Sequence, residues 1–316
     1  MTTPSALPQR HPEARLVSLS FAAVYLIWGT SFAVTKVMVL STPPFLAGAS
    51  RFLLAGSVLF AVTRWRGFGL PRGLDEWRHV AVMAVLQVAG SAGLNIVAAQ
   101  HIASNQAALL NASGSLWIPI LGALGSRGDA ISRRVGIGLA VGFVGVALLL
   151  WPRDGYALDT LPWQGVVLIA CLNWSIGTIY YRRNHMTTPM PVVLSLAMLC
   201  GGMMLGAVGL ATDEWPRLTF NVRSVLAIGY LALLNSCLAY SAYVFLMRRT
   251  TPARLATYGY VNPAIAAVTG WLLLGEHLSE LQLMGMAVIL AAVVAVTLPG
   301  RLPQMTSTAR ERSADP

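Results

Sequence analysis

Charge is what this sequence has least of. Asp, Glu, Lys and Arg make up 11% of its 316 residues while 56% are hydrophobic, where an ordinary soluble domain carries about 25% charged residues. A water-soluble fold of this length cannot hide so much apolar surface, which leaves a membrane protein. Cysteine is scarce as well. Cys171, Cys200 and Cys237 all fall inside apolar segments, with no CxxC and no Cys–His pair. Neither a disulfide framework nor a metal site is indicated, and no cofactor is expected. No glycine-rich phosphate loop is present, so direct ATP drive is not expected. No short apolar run with a cleavage site follows Pro4, Pro8 and Pro12, so no removable signal peptide is expected. The twelve carboxylates all lie in tails, loops or segment ends. Their absence from the apolar interiors argues against a buried acidic proton relay and against a site built for a cation. It argues equally against a membrane enzyme, which would gather carboxylates, histidines or a serine–lysine pair at one depth. Zwitterionic, anionic or neutral aromatic metabolites remain as substrates.

What the chain does have is ten apolar stretches of spanning length, about 20 residues each: 17–40, 44–63, 79–99, 104–124, 133–151, 162–182, 191–211, 223–246, 252–274 and 279–299. Turn formers such as Thr42-Pro43-Pro44 and Gly67-Phe68-Gly69-Leu70-Pro71 occupy the connections. The ends, 1–16 and 300–316, read as disordered tails. Ten spans put both termini on one side. That side carries sixteen arginines: Arg10, Arg15, Arg64, Arg66, Arg72, Arg78, Arg127, Arg133, Arg134, Arg182, Arg183, Arg248, Arg249, Arg301, Arg310 and Arg312. The other carries three, Arg153, Arg217 and Arg223. This is the positive-inside asymmetry of a multi-pass plasma-membrane protein with cytoplasmic termini, not a nucleic-acid surface.

The chain is expected to be built twice, over 17–151 and 162–299. Trp28-Gly29-Thr30-Ser31 with Lys36 returns about 146 residues later as Trp174-Ser175-Ile176-Gly177 with Arg182. Pro44 is echoed by Pro191, Gln87 by Asn235, and Asp129-Ala130-Ile131-Ser132 by Glu276-His277-Leu278-Ser279. Five spans is an odd number, so the second half would enter the membrane from the opposite face. The expected fold is an all-α membrane protein of ten transmembrane helices in two inverted five-helix repeats, the layout of many secondary transporters, whose site lies near the midplane.

Polar residues within the spans nominate that site, since an amide in hydrocarbon needs a partner. Gln87, Ser91 and Asn95 share one face of their helix. Asn111 with Ser115, Asn173 with Gly177, Asn235, and Asn262 mark four further helices, and Ser31 follows Trp28. Bonds between helices would explain each singly. Together the five faces favour a wet central cavity, with Trp28, Trp174, Tyr240, Tyr243 and Tyr258 as its aromatic walls. Two cations approach from the outer end, Lys36 and Arg51. Either could attract a substrate carboxylate, or snorkel and bind backbone carbonyls. Arg51 has Met198 near its repeat-equivalent place, so the shared scaffold does not demand it. His101 and His277 read as interfacial. Pro263 removes a backbone bond in mid-helix and, with Gly259 and Gly270, offers a bending point for gating. Gly138-x-x-x-Gly142 and Gly202-x-x-x-Gly206 permit close helix packing within a protomer, or a weak homodimer.

Four pieces taken in order carry a family resemblance: Trp28-Gly29-Thr30-Ser31-Phe32; Arg51-Phe52-Leu53-Leu54-Ala55-Gly56; Asn262-Pro263; and Gly270 to Glu276, with Leu278 and Gly285 beyond. Over residues 17–299 the chain resembles the EamA-type members of the drug/metabolite transporter superfamily. Ser115 or Leu116 stands where that family often has a proline, and Asp129 where it has glutamate. The resemblance implies ten helices around a central cavity in the bacterial inner membrane, and export or exchange of small metabolites, with amino acids the commonest substrates. Import or exchange of another small organic metabolite, such as a nucleoside, drug or vitamin-like compound, stays open. So does the coupling ion, a proton among the candidates.

Overall fold

The computed structural model describes residues 11–124, 131, 133–150, 159–247, 249–250 and 258–297. Among the described residues the chain is helical throughout, with short turns and no strand. The helices are α1 (His11–Val39), α2 (Pro44–Trp65), α3 (Leu74–Ala98), α4 (Ser104–Ala112), α5 (Gly114–Ala123) and α6 (Arg133–Leu150) in the first half. Those of the second half are α7 (Leu161–Arg183), α8 (Met190–Ala211), α9 (Val222–Leu246), α10 (Tyr258–Leu274) and α11 (Glu280–Thr297).

Five of these, α1, α2, α3, α8 and α9, are long and apolar enough to cross a membrane. The 22 residues of α2 rise 1.5 Å each to about 33 Å, against a hydrocarbon core of about 30 Å. α7 has the length, 23 residues, but Asn173, Trp174, Tyr180 and Tyr181 dilute its hydropathy. α6, α10 and α11 contain shorter apolar stretches.

Two expectations about element limits need correction. α1 begins at His11, inside the stretch expected to be a disordered tail. The stretch 104–124 is not one helix: it divides at Ser113, between α4 and α5. Ser113 bonds back through its hydroxyl to the Leu110 carbonyl at 2.6 Å, and its N–H takes the same carbonyl at 3.0 Å. That tight turn competes with helix continuation, and Gly114 next to it has poor helix propensity. The tails 1–10 and 300–316, Asp129, and the start of the stretch 252–274 lie outside the described residues.

The most extensive helix pairs join one half to the other: α2 against α8, α6 against α11, and α1 against α9. Glycine makes the first two possible. A Cβ on Gly56 would stand 2.8 Å from Leu199 Cγ and 3.0 Å from the Ser195 carbonyl, and one on Gly145 would stand 2.9 Å from the Ile289 N–H. Backbones at that distance leave no space for a side chain.

Carboxylates tie the helix starts. Glu214, 2% exposed, accepts the Phe45 and Leu46 N–H groups at 3.2 and 2.8 Å, two donors that the first turn of α2 cannot satisfy by itself. Glu276 does the same for Ser104 and Asn105 at the start of α4. Glu76, at the first turn of α3, takes the N–H groups of Thr187 and Thr188 just ahead of α8. In each case acceptor and donors come from different halves.

Candidate functional site

α3 and α9 shape the site through an irregularity they share. Ala84–Gly93 of α3 and Tyr230–Ala239 of α9 are wound as π-helix. The two segments start at Ala84 and Tyr230, the same 146-residue offset that separates Trp28 from Trp174. Bonds from i to i+5 widen the turn, and such stretches are frequent at functional sites. Gln87 and Ser91 lie on the first and Asn235 and Ser236 on the second, and all four are buried.

These residues face a cavity of about 250 Å³ that both halves enclose. Most of the expected site residues line it. α1 supplies Trp28 and Ser31, and α3 supplies Gln87, Ser91 and Asn95. Asn111 comes from α4, Ser115 from α5 and Trp174 from α7. Asn235 and Tyr240 come from α9, and Tyr258 and Asn262 from α10. Arg51 also reaches the cavity from α2.

Four expected residues do not line it. Asn173 lies on the neighbouring face of α7, where a Cβ on Gly90 would stand 3.0 Å from its side chain, and its amide bonds the Ile169 carbonyl at 3.0 Å. Gly177 makes room rather than a wall: a Cβ there would stand 2.8 Å from Gln87 Cγ. Tyr243 forms a second layer, packed on Trp28 and Tyr258 with ring centroids 5.1 and 5.7 Å apart. Lys36 turns away from the cavity, and its ammonium binds the Gln100 and Ile102 carbonyls at 3.2 and 3.0 Å, the backbone role its position allowed. Nearby, His101 stacks on Trp163 at 3.6 Å and 6°. Desolvation and the Lys36 ammonium hold its imidazole below the ordinary histidine range.

The polar groups of the wall are largely bonded to each other. Asn111 donates to Asn95 Oδ1 at 2.7 Å and to the Ala107 carbonyl at 2.8 Å. Asn95 donates to the Ser91 carbonyl at 3.1 Å. Tyr240 donates its hydroxyl to Gln87 Oε1 at 3.0 Å, linking α9 to α3. Trp28 meets Tyr258 and Tyr240 edge-on at 5.3 and 6.2 Å, and Trp174 meets Tyr240 edge-on at 6.3 Å, so the aromatic wall is one contiguous cluster. Pro263 lies inside α10. It carries no N–H, so the Gly259 carbonyl one turn back lacks its helical donor, and Gly259 lines the cavity.

Sequence reasoning missed an entire wall. α8 contributes Met190, Val193, Leu194, Ala197 and Met198, and α2 adds Phe52 beside Arg51. In sequence these apolar side chains carry the same signal as ones that face lipid. Ser236 was missed too, although it adjoins the nominated Asn235.

The model described as the EamA-like transporter family matches residues 16–151 and again residues 161–298. The inner membrane transporter YedA of Escherichia coli (strain K12), itself described as uncharacterized, is 34% identical over 281 residues, which cover 87% of this chain and 89% of that protein. A probable amino-acid metabolite efflux pump of Salmonella typhimurium is 25% identical over 288 residues, covering 85% of this chain and 91% of the pump. A solved structure described only as a crystal structure of a protein aligns over 90% of this chain and 96% of its own, with a TM-score of 0.64 and 20% identity. That last likeness is one of fold.

Proposed function

This chain belongs to the EamA-like transporter family, and from that premise we propose that it is a secondary exporter of small metabolites, amino acids or related compounds foremost, working by alternating access at a site between its halves. One observation carries the reading: the 250 Å³ cavity has walls from both halves and a tryptophan at repeat-related places in each, Trp28 and Trp174. A chamber that both halves enclose opens to one face or the other when the halves rock. Its volume, below the roughly 300–1,000 Å³ of drug-sized pockets, suits a metabolite of amino-acid size. The relative described as an amino-acid metabolite efflux pump points the same way.

The architecture we assign is ten transmembrane helices in two inverted repeats, over 17–151 and 162–299. The paired π segments and the three helix pairs between halves support it. The arginine asymmetry supports cytoplasmic termini. The substrate contacts we assign are the twelve expected residues that line the cavity, together with Arg51. Proteoliposome counterflow across labelled amino acids, with and without a pH gradient, is the test. We expect saturable exchange of at least one of them. Exchange of none would sink the amino-acid assignment, and rates indifferent to the gradient would sink proton coupling.

A further inference from the structure

We infer that the cavity selects its substrate by a carboxylate, with Arg51 as the charge partner, and that a substrate amino group is dispensable. The inference rests on the transporter reading of this same cavity and names the chemical class that it takes. Arg51 is 8% exposed, and its partners are neutral. Its Nη2 donates to Asn235 Oδ1 at 2.7 Å, and Nε and Nη2 share the Ser236 hydroxyl at 3.4 Å. The guanidinium also stands over the Phe52 ring, 4.7 Å from its centroid, which sets the plane of the fork.

A guanidinium has five N–H donors. The two on Nη1 have no hydrogen-bond partner among the described residues, and Nη1 is not among the solvent-sealed unpartnered atoms. They belong to a side chain that lines the cavity. A buried cation with no anion beside it is costly, and a planar fork with free donors binds a carboxylate better than any neutral group does.

The rest of the lining sharpens the class. None of the described lining residues is an Asp, Glu, Lys or His, so Arg51 is the sole formal charge in the described wall. A dication or a simple amine would meet that charge with no anion to offset it. An ammonium on a zwitterion would find only neutral acceptors and ring faces among the described lining residues, since the Glu276 carboxylate behind Ser104 is taken up by that hydroxyl and the Ser104 and Asn105 N–H groups. Met198, near the repeat-equivalent place, lines the same cavity as a thioether. The described wall thus has one cationic locus among otherwise apolar, aromatic, hydroxyl and amide groups, which suits an organic monocarboxylate with an apolar or aromatic body.

The test uses the full-length protein in lipid nanodiscs and matched probes: phenylalanine against phenylalaninamide, and 3-phenylpropionate against its amide. Trp28 and Trp174 in the wall report occupancy by fluorescence. Both acids should give saturable titrations, with each amide weaker by about tenfold or more, the loss expected for a charge-assisted fork contact. The desamino acid should bind within about tenfold of phenylalanine, because no charged partner for its ammonium is lost. Arg51→Gln should remove the acid–amide difference. Asn235→Asp keeps the acceptor for Nη2 and its fold but sets a resident anion on the guanidinium. It should weaken both acids by about tenfold or more and leave the amides unchanged. Acids and amides binding alike, no saturable response to either acid, a strict need for the amino group, or acids indifferent to Asn235→Asp would each overturn the assignment. Counterflow of any metabolite would preserve the transporter reading in that event. Saturable acid binding without any flux would preserve the site and sink the transporter reading.

Discussion

Single carboxylates at the helix starts illustrate how much of this fold hangs on groups that bind no substrate. Glu214 is nearly sealed from solvent, and its two oxygens satisfy two otherwise orphaned N–H donors at the head of α2. Removing it leaves both donors buried and unpaired, which costs roughly 1–3 kcal/mol each way a buried group is orphaned. Glu214→Ala should therefore lower the melting temperature of the purified protein clearly, while Glu280→Ala, at an exposed position in the first turn of α11, should leave it nearly unchanged. Equal melting of the two variants would show that the cap contributes nothing. In sequence both are simply acids at segment ends. Their placement there was legible, and their different worth was not, because a cap is defined by which backbone lies across from it. The same limit applied to Lys36. Its position in the last turn of α1 was readable, whereas the choice between substrate and carbonyls was made by the Gln100–Ile102 turn that folds over it.

Helix contacts decide the next scale. The close approach of α2 and α8 at Gly56 leaves no place for a methyl group, since the nearest atoms include the Leu199 N–H at 2.9 Å. Gly56→Ala should destabilise the protein by about 1–3 kcal/mol, the usual cost of overpacking. Gly165 of α7 has open space around its would-be Cβ, so Gly165→Ala should be neutral or stabilise by up to about 1 kcal/mol through helix propensity. Thermal melts of the two variants that moved the same way would contradict this packing. Within α10, Pro263 interrupts the bond to the Gly259 carbonyl beside the cavity. Pro263→Ala restores that bond and should stiffen the helix. We expect transport to slow more than expression falls, and unchanged transport would count against α10 as a moving part. The π segments of α3 and α9 were invisible beforehand. Gln87, Ser91 and Asn95 of α3 all line the cavity, because a spacing of four points nearly the same way in an α-helix and in a π-helix. The break at Ser113 was missed for the opposite reason: a single serine–glycine step is tolerated in many helices, and only the local bonds to Leu110 show that here it turns.

For the molecule as a whole, the decisive quantities are orientation and access. A reporter fused after Pro316 should be protected in intact cells, as the arginine asymmetry requires. External activity would invert the whole assignment. Asn95→Cys and Asn262→Cys should react with a small water-soluble thiol reagent in the purified protein, while the buried native Cys171 stays unmodified. Labelling of neither position would argue against a wet chamber.

The sequence by itself determined the solvent, the presence of long apolar helices, the echo between halves and the polar and aromatic residues worth burying, because hydropathy, charge sidedness and spacing are properties of the chain. Only the tertiary structure decided which of those residues share the cavity. It set Asn173, Gly177 and Tyr243 beside or behind the wall and brought in the apolar face of α8, since lipid and a partner helix select the same side chains and differ only in what finally packs against them. It also decided what Arg51 touches. Pairing a cation with a neutral amide 184 residues away follows from two backbones meeting in space, and no local pattern encodes that meeting.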